Sequence, residues 1–332
     1  MEQSRMIRSH TIFLSAFIFV TGFFVLTPTT LGRAATITAT SCSVVDIQSA
    51  INAAANGDVI TVPAGNCTWT GGVNIAKNIT VLGAGIGQTT LNQNGTFFSL
   101  NASKSRISGF TLIGNGNLIL FSGQGVRIDH NRFESTTFSV AVYADGNRAG
   151  GLADKHPEGV IDHNEFINGR VLVTGDANLM ANTIWSQPTN LGSGEAVYVE
   201  DNTIFWNVFG NAIDANYGGK YVFRYNKVTW TTANATGADA HSVQGSNRAT
   251  RKWEIYNNTF NRPDAGGFVA IWPRGGTGVI FNNSINGNYT SAILFDNVRS
   301  FSTSTGSGAC NGTSLWDGNT SGKLGWPCRG QI

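Results

Sequence analysis

The chain contains few charged residues and few prolines for its length. Charged residues make up 13% of the 332 positions, only 7 prolines occur, and no heptad or long helical periodicity appears past the N-terminal region. These absences argue against a coiled coil or a helical bundle. The 41 glycines, together with asparagines at apparent bends and β-branched residues between them, are typical of a turn-rich all-β protein.

One long apolar run occurs, near the N-terminus. Two arginines precede an apolar stretch over residues 12–26, and two alanines follow it. This layout predicts a secretory signal over residues 1–35 and a mature domain over residues 36–332. A retained membrane anchor is the alternative, although the run is shorter than the roughly 20 residues that a spanning helix needs. We therefore expect a secreted or periplasmic protein that has no membrane contact after cleavage.

The balance of charge gives no sign of a strongly charged partner. The whole chain has 22 basic and 20 acidic residues, and loss of Arg5, Arg8, Arg33 and Glu2 with the signal would leave 19 of each. A near-neutral mature chain has no basic surplus with which to bind a nucleic acid.

The four cysteines are predicted to form two disulfides, because cysteines in an exported chain usually pair. Cys42 and Cys67 lie near one end of the mature chain, and Cys310 and Cys328 lie near the other. Three pairings are possible, and local pairing, which would staple each end, is the simplest. A metal site is the weaker interpretation, because neither pair has Cys-x-x-Cys spacing and no histidine stands beside either one.

A short phrase recurs eight times: an apolar residue, two further residues, and then asparagine. The shared asparagine recurs after 33, 18, 20, 24, 32, 25 and 14 residues, so the phrase is kept while its spacing varies. A fixed phrase at variable spacing is typical of a solenoid whose loops differ in length. The asparagines are Asn131, Asn164, Asn182, Asn202, Asn226, Asn258, Asn283 and, in a looser match, Asn297.

The apolar alternation before each asparagine predicts a short strand that buries every second residue. Such strands can bury their apolar faces by stacking in parallel, with the asparagines bonded to one another in a ladder at the bend. The alternatives are a coincidence in an asparagine-rich chain and an ordinary β-sandwich. A sandwich does not repeat a residue-level phrase at one bend, so we predict a single elongated solenoid domain.

One amphipathic helix is predicted at the start of the mature domain. Apolar residues recur at intervals of three and four over residues 45–54, Asp46 is placed to cap the helix, and residues 56–58 are suited to end it. A strand follows over residues 59–62. A helix at this position would cover the first coil of a solenoid.

The residues from Asp46 to Ile51 and from Gly57 to Gly65, with the Asp-His-Asn coils after them, resemble the pectin lyase-like superfamily. This resemblance covers roughly residues 40–300. It implies an all-β fold, a single-stranded right-handed parallel β-helix with an N-terminal capping helix. It says little about activity, because this fold serves lyases, hydrolases, epimerases, phage tail spikes and adhesins.

The position two before each asparagine is predicted to face solvent. Asp129 and Asp162 would then lie in adjacent coils about 4.8 Å apart. One interpretation is a Ca²⁺ site, because stacked carboxylates are costly without a cation. The other is a pair of solvated carboxylates offset by loop insertions. The same column would contain Met180, Glu200, Arg224, Tyr256 and Phe281.

A second outward face, on the strands before the asparagine phrases, is predicted to bind substrate. A sugar ring has an apolar face and a hydroxyl rim, so aromatic rings beside polar groups suit it. The alternative is that these residues only cap a solvated sheet. The face combines Tyr143, Tyr217 and Trp272 with Asp145, Asp214, Asn216, His241 and Arg274.

Uronate lyases of this fold remove the proton at C5 with a base and neutralise the adjacent carboxylate with Arg, Lys or Ca²⁺. The catalytic candidates in this sequence are Lys220 or His241 as the base and Arg224 or Arg274 as the cation that holds the carboxylate. Lys220 and Arg224 are four residues apart, which places them on one side of a strand, and the pair resembles the Lys and Arg of some β-helix lyases. The alternative is that both are ordinary surface cations.

The motifs of other enzymes with this fold are missing. The chain has no Asn-Thr-Asp, Asp-Asp or Gly-His-Gly of polygalacturonase-like hydrolases and no Asp-Pro-His of alginate epimerases, although Asp145, Glu195 and Asp214 remain candidates for a carboxylate pair. We therefore predict a monomeric lyase of an acidic polysaccharide, with Ca²⁺ as a candidate cofactor. The rival is a non-catalytic glycan-binding or structural protein. A lyase needs a base and a cation that converge on one sugar, whereas a binder needs only spaced rings.

Overall fold

The computed structural model describes residues 34–146, 156–175, 188–231, 235–242, 249–264 and 267–295. Within these ranges the chain forms one helix and short strands that pair in parallel. The predicted secretory signal, apart from residues 34 and 35, and the predicted bond between Cys310 and Cys328 lie outside the described residues. No described helix is long and apolar enough to cross a membrane.

The elements follow one another as a repeated succession of two or three short strands per coil. In chain order they are β1 (Thr36–Thr38), α1 (Val44–Ala53), β2 (Val59–Thr61), β3 (Gly65–Thr68), β4 (Val73–Ile75), β5 (Thr80–Leu82), β6 (Thr89–Asn92), β7 (Phe98–Leu100), β8 (Arg106–Ser108), β9 (Thr111–Ile113), β10 (Asn117–Phe121), β11 (Val126–Asp129), β12 (Arg132–Asp145), β13 (Gly159–Asp162), β14 (Glu165–Thr174), β15 (Val197–Glu200), β16 (Thr203–Trp206), β17 (Gly210–Asn216), β18 (Lys220–Arg224), β19 (Lys227–Trp230), β20 (Ala235–Ala240), β21 (Lys252–Tyr256), β22 (Thr259–Arg262), β23 (Val269–Pro273), β24 (Thr277–Phe281), β25 (Ser284–Gly287) and β26 (Ser291–Ile293).

Equivalent strands of successive coils pair to form three columns. The first column has the order β1-β2-β5-β8-β11-β13-β15-β18-β21-β24. The second runs β3-β6-β9-β12-β14-β16-β19-β22-β25, and the third runs β4-β7-β10-β12-β14-β17-β20-β23-β26. The long strands β12 and β14 belong to both of the latter columns and join them into one sheet. This stack of parallel strands confirms the predicted parallel β-helix.

The core lies between the columns and is filled by inward side chains stacked coil upon coil. Strands alternate inward and outward residues, so parallel pairing in register places one inward residue directly over the next. In the first column this produces a buried apolar stack of Ile60, Val81, Ile107, Ile128, Ile161, Val199, Phe223 and Ile255.

The predicted asparagine ladder is present at the bend between the first and second columns. From Asn164 onward, each ladder asparagine Oδ1 accepts from both the main-chain N and the Nδ2 of the asparagine one coil earlier, at 2.9–3.2 Å. Asn164 bonds directly to Asn202. Asn182 and Asn297 themselves lie outside the described residues. The rungs are Asn131, Asn164, Asn202, Asn226, Asn258 and Asn283.

A left-handed residue precedes each ladder asparagine and makes the bend. His130 and His163, for example, have φ of 53° and 54°. This conformation turns the chain sharply between two columns and directs the next side chain into the core. The geometry of this bend therefore explains why the same short sequence recurs there, while the loops elsewhere in the coils differ in length.

The helix α1 packs over the N-terminal coil, as predicted. Its buried residues Ile47, Ala50 and Ile51 join the same core as the strands. The expected cap at Asp46 is wrong, because Ser43 is the N-cap and its Oγ accepts from the main-chain N of Asp46. The predicted bond between Cys42 and Cys67 is present and links the segment before α1 to β3.

Candidate active site

A cleft of about 440 Å³ opens on the outer face of the third column, around β17, β20 and β23. Apolar residues such as Ile213, Ala238 and Ile271 point into the core from these strands, so the residues that alternate with them point outward. The cleft is lined by Phe138, Arg170, Phe209, Gly210, Asn211, Asp214, Thr236, Asp239, His241, Phe268, Trp272 and Arg274.

Two carboxylates occupy neighbouring positions on the floor of the cleft. Ile213 pairs with Ala238, which places the next residues, Asp214 and Asp239, side by side in adjacent coils. Asp239 pairs in turn with Trp272 of the following coil. Strand spacing therefore sets these groups about 4.8 Å apart along the axis of the helix.

Each carboxylate is bonded to a different arginine. Arg170 donates from Nη1 to Asp214 Oδ2 at 3.0 Å and to Asn211 Oδ1 at 3.3 Å. Arg274 binds Asp239 in a bidentate manner, with Nε 3.0 Å from Oδ1 and Nη2 on Oδ2. Asp214 Oδ1 and Arg170 Nε are buried and have no hydrogen-bond partner in the described structure, so this pair is only partly satisfied.

The environment of Asp239 favours its protonated form. Burial and, after it, the negative charge of Asp214 raise the pKa of the Asp239 carboxyl to about 7, against the opposing charge of Arg274. A carboxyl group with a pKa near neutrality can exchange a proton under physiological conditions. Asp239 is therefore suited to acid–base chemistry as well as to ion pairing.

His241 supplies an imidazole at the end of β20. Its main-chain N donates to Ala215 O at 2.9 Å, which fixes it to the preceding coil, and its Nδ1 lies 3.2 Å from the carbonyl of Ser242. The side chain is largely buried and borders the cleft. Imidazole is the side chain most often used to move protons near neutral pH.

Aromatic rings border the charged floor at both ends. Trp272 lies 4.2 Å from the Arg274 guanidinium and packs edge-on against Phe268 at 4.9 Å. At the opposite end the Arg170 guanidinium lies over the Phe138 ring, 4.7 Å from its centroid. The ring of Phe209, which is 65% exposed, has its centroid 6.0 Å from that of Phe138. The cleft therefore combines apolar surfaces with cations, carboxylates and an imidazole.

Four of the residues predicted from the sequence meet in this cleft: Asp214, His241, Trp272 and Arg274. Tyr143 lies in the same row across the strands as Asp214, because Tyr143 pairs with Leu172 and Leu172 pairs with Asp214. Asp145 and Asn216 share a second row, because each of them pairs with Thr174. These three residues do not line the cleft. Neither does Tyr217, which takes a left-handed conformation, with φ of 54°, in the turn after β17.

Lys220 and Arg224 lie in a different place. Both belong to β18 of the first column, and neither lines the cleft. Lys220 is largely buried beside Glu195, with Nζ 3.6 Å from Oε2, and burial lowers the pKa of its ammonium group. Arg224 donates to Glu200 at 2.5 Å and to the hydroxyl of Tyr256 at 3.0 Å.

The predicted column of Asp129 and Asp162 exists, but it is not solvated. The two residues pair in register and are both buried. Arg106 binds Asp129 and Arg127 binds Asp162 in a bidentate manner. Burial opposes ionisation of Asp129, but the bonds from Arg106 and His130 outweigh it and hold the pKa of that carboxyl below its ordinary value.

Two of the charged residues in the cleft were not expected from the sequence. Asp239 lies between Ala238 and Ala240, which point inward, just as Asp214 lies between two inward residues. The sequence pattern that identified Asp214 therefore also marks Asp239 as an outward residue. Arg170 had no comparable signal, because its contact with Asp214 joins residues 44 apart across a coil boundary. Among the described residues, no group of three or more His, Cys, Asp or Glu side chains is arranged to hold a metal ion.

Comparison with known proteins gives few matches. No protein-family model matches the chain, and no curated protein matches it. Among solved structures, an alginate lyase from Paenibacillus sp. str. FPU-7 is similar to it, with 15% sequence identity and a TM-score of 0.48. That match covers 78% of this chain and 99% of the other.

Proposed function

We propose that this protein cleaves an acidic polysaccharide by β-elimination in the cleft of the third column. The observation that carries this proposal is the meeting of His241, Arg274 and Trp272 in one cleft. A base, a cation and a ring surface within reach of a single sugar are what elimination from a uronate requires.

Each group has a defined task in this reaction. His241 removes the proton at C5 of the uronate, and the electron pair forms the double bond between C4 and C5 as the bond from C4 to the glycosidic oxygen breaks. The Arg274 guanidinium stabilises the charge that develops on the uronate carboxylate, while Arg170 stays bonded to Asp214. Asp239, in its protonated form, donates a proton to the departing oxygen, and Trp272 supports the apolar face of a sugar.

We also propose that the protein acts outside the cytoplasm. A bond between Cys42 and Cys67 requires an oxidising compartment, which agrees with the secretory signal predicted over residues 1–35. Extracellular polysaccharides are large, and an open cleft on the outer face of a β-helix is accessible to a polymer.

A second candidate reaction, hydrolysis, is favoured by the carboxylate pair. Asp239, which has a pKa of about 7, adjoins a second carboxylate, Asp214, and a pair of carboxylates is the usual acid and base of glycoside hydrolysis. Hydrolysis would leave a saturated product, whereas elimination leaves a double bond.

The test incubates the purified protein with a panel of uronate polymers, with added Ca²⁺ and with a chelator. Product is followed by the ultraviolet absorbance of the C4–C5 double bond and by new reducing ends. We expect both signals to rise together, and His241→Ala to reduce them by about 100-fold or more. Arg132→Ala is the matched control, because Arg132 pairs with Glu134 and Glu165 and does not line the cleft.

The other outcomes identify the rival functions. Reducing ends without the absorbance would replace elimination by hydrolysis. Binding of a glycan that Trp272→Ala abolishes, with no cleavage of any polymer, would identify a non-catalytic binding protein. An unchanged rate of elimination in His241→Ala would remove His241 from the role of base.

A further inference from the structure

The floor of the cleft has an ordered arrangement of charges along the axis of the β-helix. Arg170, Asp214 and Asp239 come from β14, β17 and β20, and Arg274 directly follows β23, the next strand of the third column. The two anions are adjacent in the middle, and each is bonded to the cation on its outer side. All four side chains are mostly buried.

A sugar carboxylate that enters this site meets two constraints. The Arg274 guanidinium already directs its Nε–Nη2 edge to Asp239, so a bidentate bond from this edge to substrate requires Asp239 to give it up. Asp239 would then be a buried anion without its cation, next to Asp214 and to the incoming carboxylate. Burial of an unpaired charge costs several kcal/mol, and the group takes up a proton instead.

We infer, on the basis of the proposed function, that a uronate carboxylate replaces Asp239 on Arg274 and that Asp239 takes up one proton from solvent in the same step. The charges balance, because the substrate adds one negative charge and the proton removes one from Asp239. No covalent bond of the sugar changes in this step. Binding is thereby coupled to the supply of the proton that the leaving oxygen needs.

The surroundings of Asp239 select it as the group that is protonated. Asp214 faces it from β17, and Arg170 holds Asp214 through β14, so Asp214 keeps its own cation. Arg274, directly after β23, binds Asp239, and His241 lies two residues beyond Asp239, directly after β20. From below, the hydroxyl of Tyr221 donates to the main-chain oxygen of Asp239 and offers no charge. A pKa of about 7 for Asp239 in the absence of substrate agrees with this assignment.

The exchange predicts how the cleft tells charged sugars from neutral ones. A uronate displaces Asp239, which takes up a proton from solvent, so the affinity for uronate rises as the pH falls toward about 7 and levels off below it, where Asp239 is already protonated without substrate. A neutral sugar has no group that competes for Arg274 and binds without a proton. The affinity for uronates, and not for neutral sugars, therefore depends on pH in this range.

The experiment measures proton uptake by isothermal titration calorimetry in two buffers of different ionisation enthalpy near neutral pH. The probe is a short uronate oligosaccharide, and His241→Gln prevents turnover and removes the imidazole as a proton acceptor. We expect uptake of up to about one proton per oligosaccharide bound. A neutral oligosaccharide of the same length is expected to cause no uptake. Wild-type protein with a methyl uronoside, which has no glycosidic bond at C4, repeats the measurement without any substitution.

Asp239→Asn in the same background separates the exchange from simple ion pairing. It removes the proton acceptor and the competitor for Arg274, so we expect uronate binding that is retained and no longer depends on pH. Glu165→Gln is the matched control, since this carboxylate pairs with Arg132 on the second column. It should leave proton uptake unchanged.

The results distinguish the inference from the proposed function. Uronate binding with no proton uptake in either wild type or His241→Gln overturns the exchange and leaves elimination in the cleft intact. Proton uptake that persists in Asp239→Asn assigns it to another group and also overturns the inference. Failure of every uronate probe to bind overturns both the exchange and the proposed function.

Discussion

Asn226 Oδ1 accepts two hydrogen bonds from Asn202, one from the main-chain N and one from Nδ2, both at 3.0 Å. Asn226 Nδ2 donates in turn to Val199 O and Asn258 Oδ1. A single side chain thus satisfies the polar groups of three coils in a place that water does not reach. The ladder stabilises the bend by leaving no buried donor or acceptor unpaired.

Replacing one rung should destabilise the protein well beyond the loss of one hydrogen bond. We expect Asn226→Ala to lower the free energy of unfolding by roughly 2–4 kcal/mol, because it leaves several buried polar groups unsatisfied. Chemical denaturation measures this change. Asn286→Ala is the matched control, since Asn286 is exposed and bonds to Ser284 in its own strand, and it should cost under about 0.5 kcal/mol. Equal effects of the two substitutions would argue against the ladder as a stabilising element.

The bond between Cys42 and Cys67 should stabilise the N-terminal end of the β-helix. The two residues are 25 apart in sequence, and closing a loop of this length in the unfolded chain corresponds to about 3 kcal/mol. We expect the double variant Cys42→Ser, Cys67→Ser to unfold at a lower temperature and to exchange the amide protons of α1 and β2 faster. Unchanged exchange in α1 and β2 would show that the packing of the helix, and not the disulfide, stabilises this end.

The fold could be predicted because its signal is local and repeated. Each bend of the ladder has a left-handed residue followed by asparagine, as in His130-Asn131 and Tyr225-Asn226, so the sequence shows the bend in two adjacent residues. The same phrase predicted the column of Asp129 and Asp162. It could not reveal that Arg106 binds Asp129, because the coil of Arg106 bends at Gly109 and has no asparagine phrase to align.

The site was only partly predictable, because it depends on which coils become neighbours. Asp214, His241, Trp272 and Arg274 could be found from the alternation on single strands. The contact of Arg170 with Asp214 could not, since it depends on the number of residues in the loops between β14 and β17. Lys220 and Arg224 do share a strand, but that strand belongs to the first column and the cleft belongs to the third.

The raised pKa of Asp239 should appear in the pH dependence of stability. The folded protein holds this proton up to a pH of about 7, whereas the unfolded chain loses it near the ordinary value of 3.8. Between pH of about 4 and about 7 the folded state binds more protons than the unfolded chain. As the pH rises across that window, the contribution of Asp239 to the free energy of unfolding therefore falls, and above the window it is constant. Asp239→Asn removes the effect, and the difference between wild type and variant should change by a few kcal/mol over the window. A difference that is constant with pH would place the pKa of Asp239 in its ordinary range.

Lys220 was a candidate base, and its position leads to a different expectation. Lys220 is largely buried on the first column beside Glu195 and does not line the cleft, whereas His241 does. We therefore expect Lys220→Met, which keeps the length of the side chain, to retain kcat on a uronate polymer within about threefold, while His241→Gln reduces it by about 100-fold or more. Circular dichroism on both variants checks that they fold, because removing a buried cation beside Glu195 is itself destabilising. A folded Lys220→Met protein with no activity would move the base from the third column to the corner where β18 begins, and would make the cleft a binding surface beside the reaction centre.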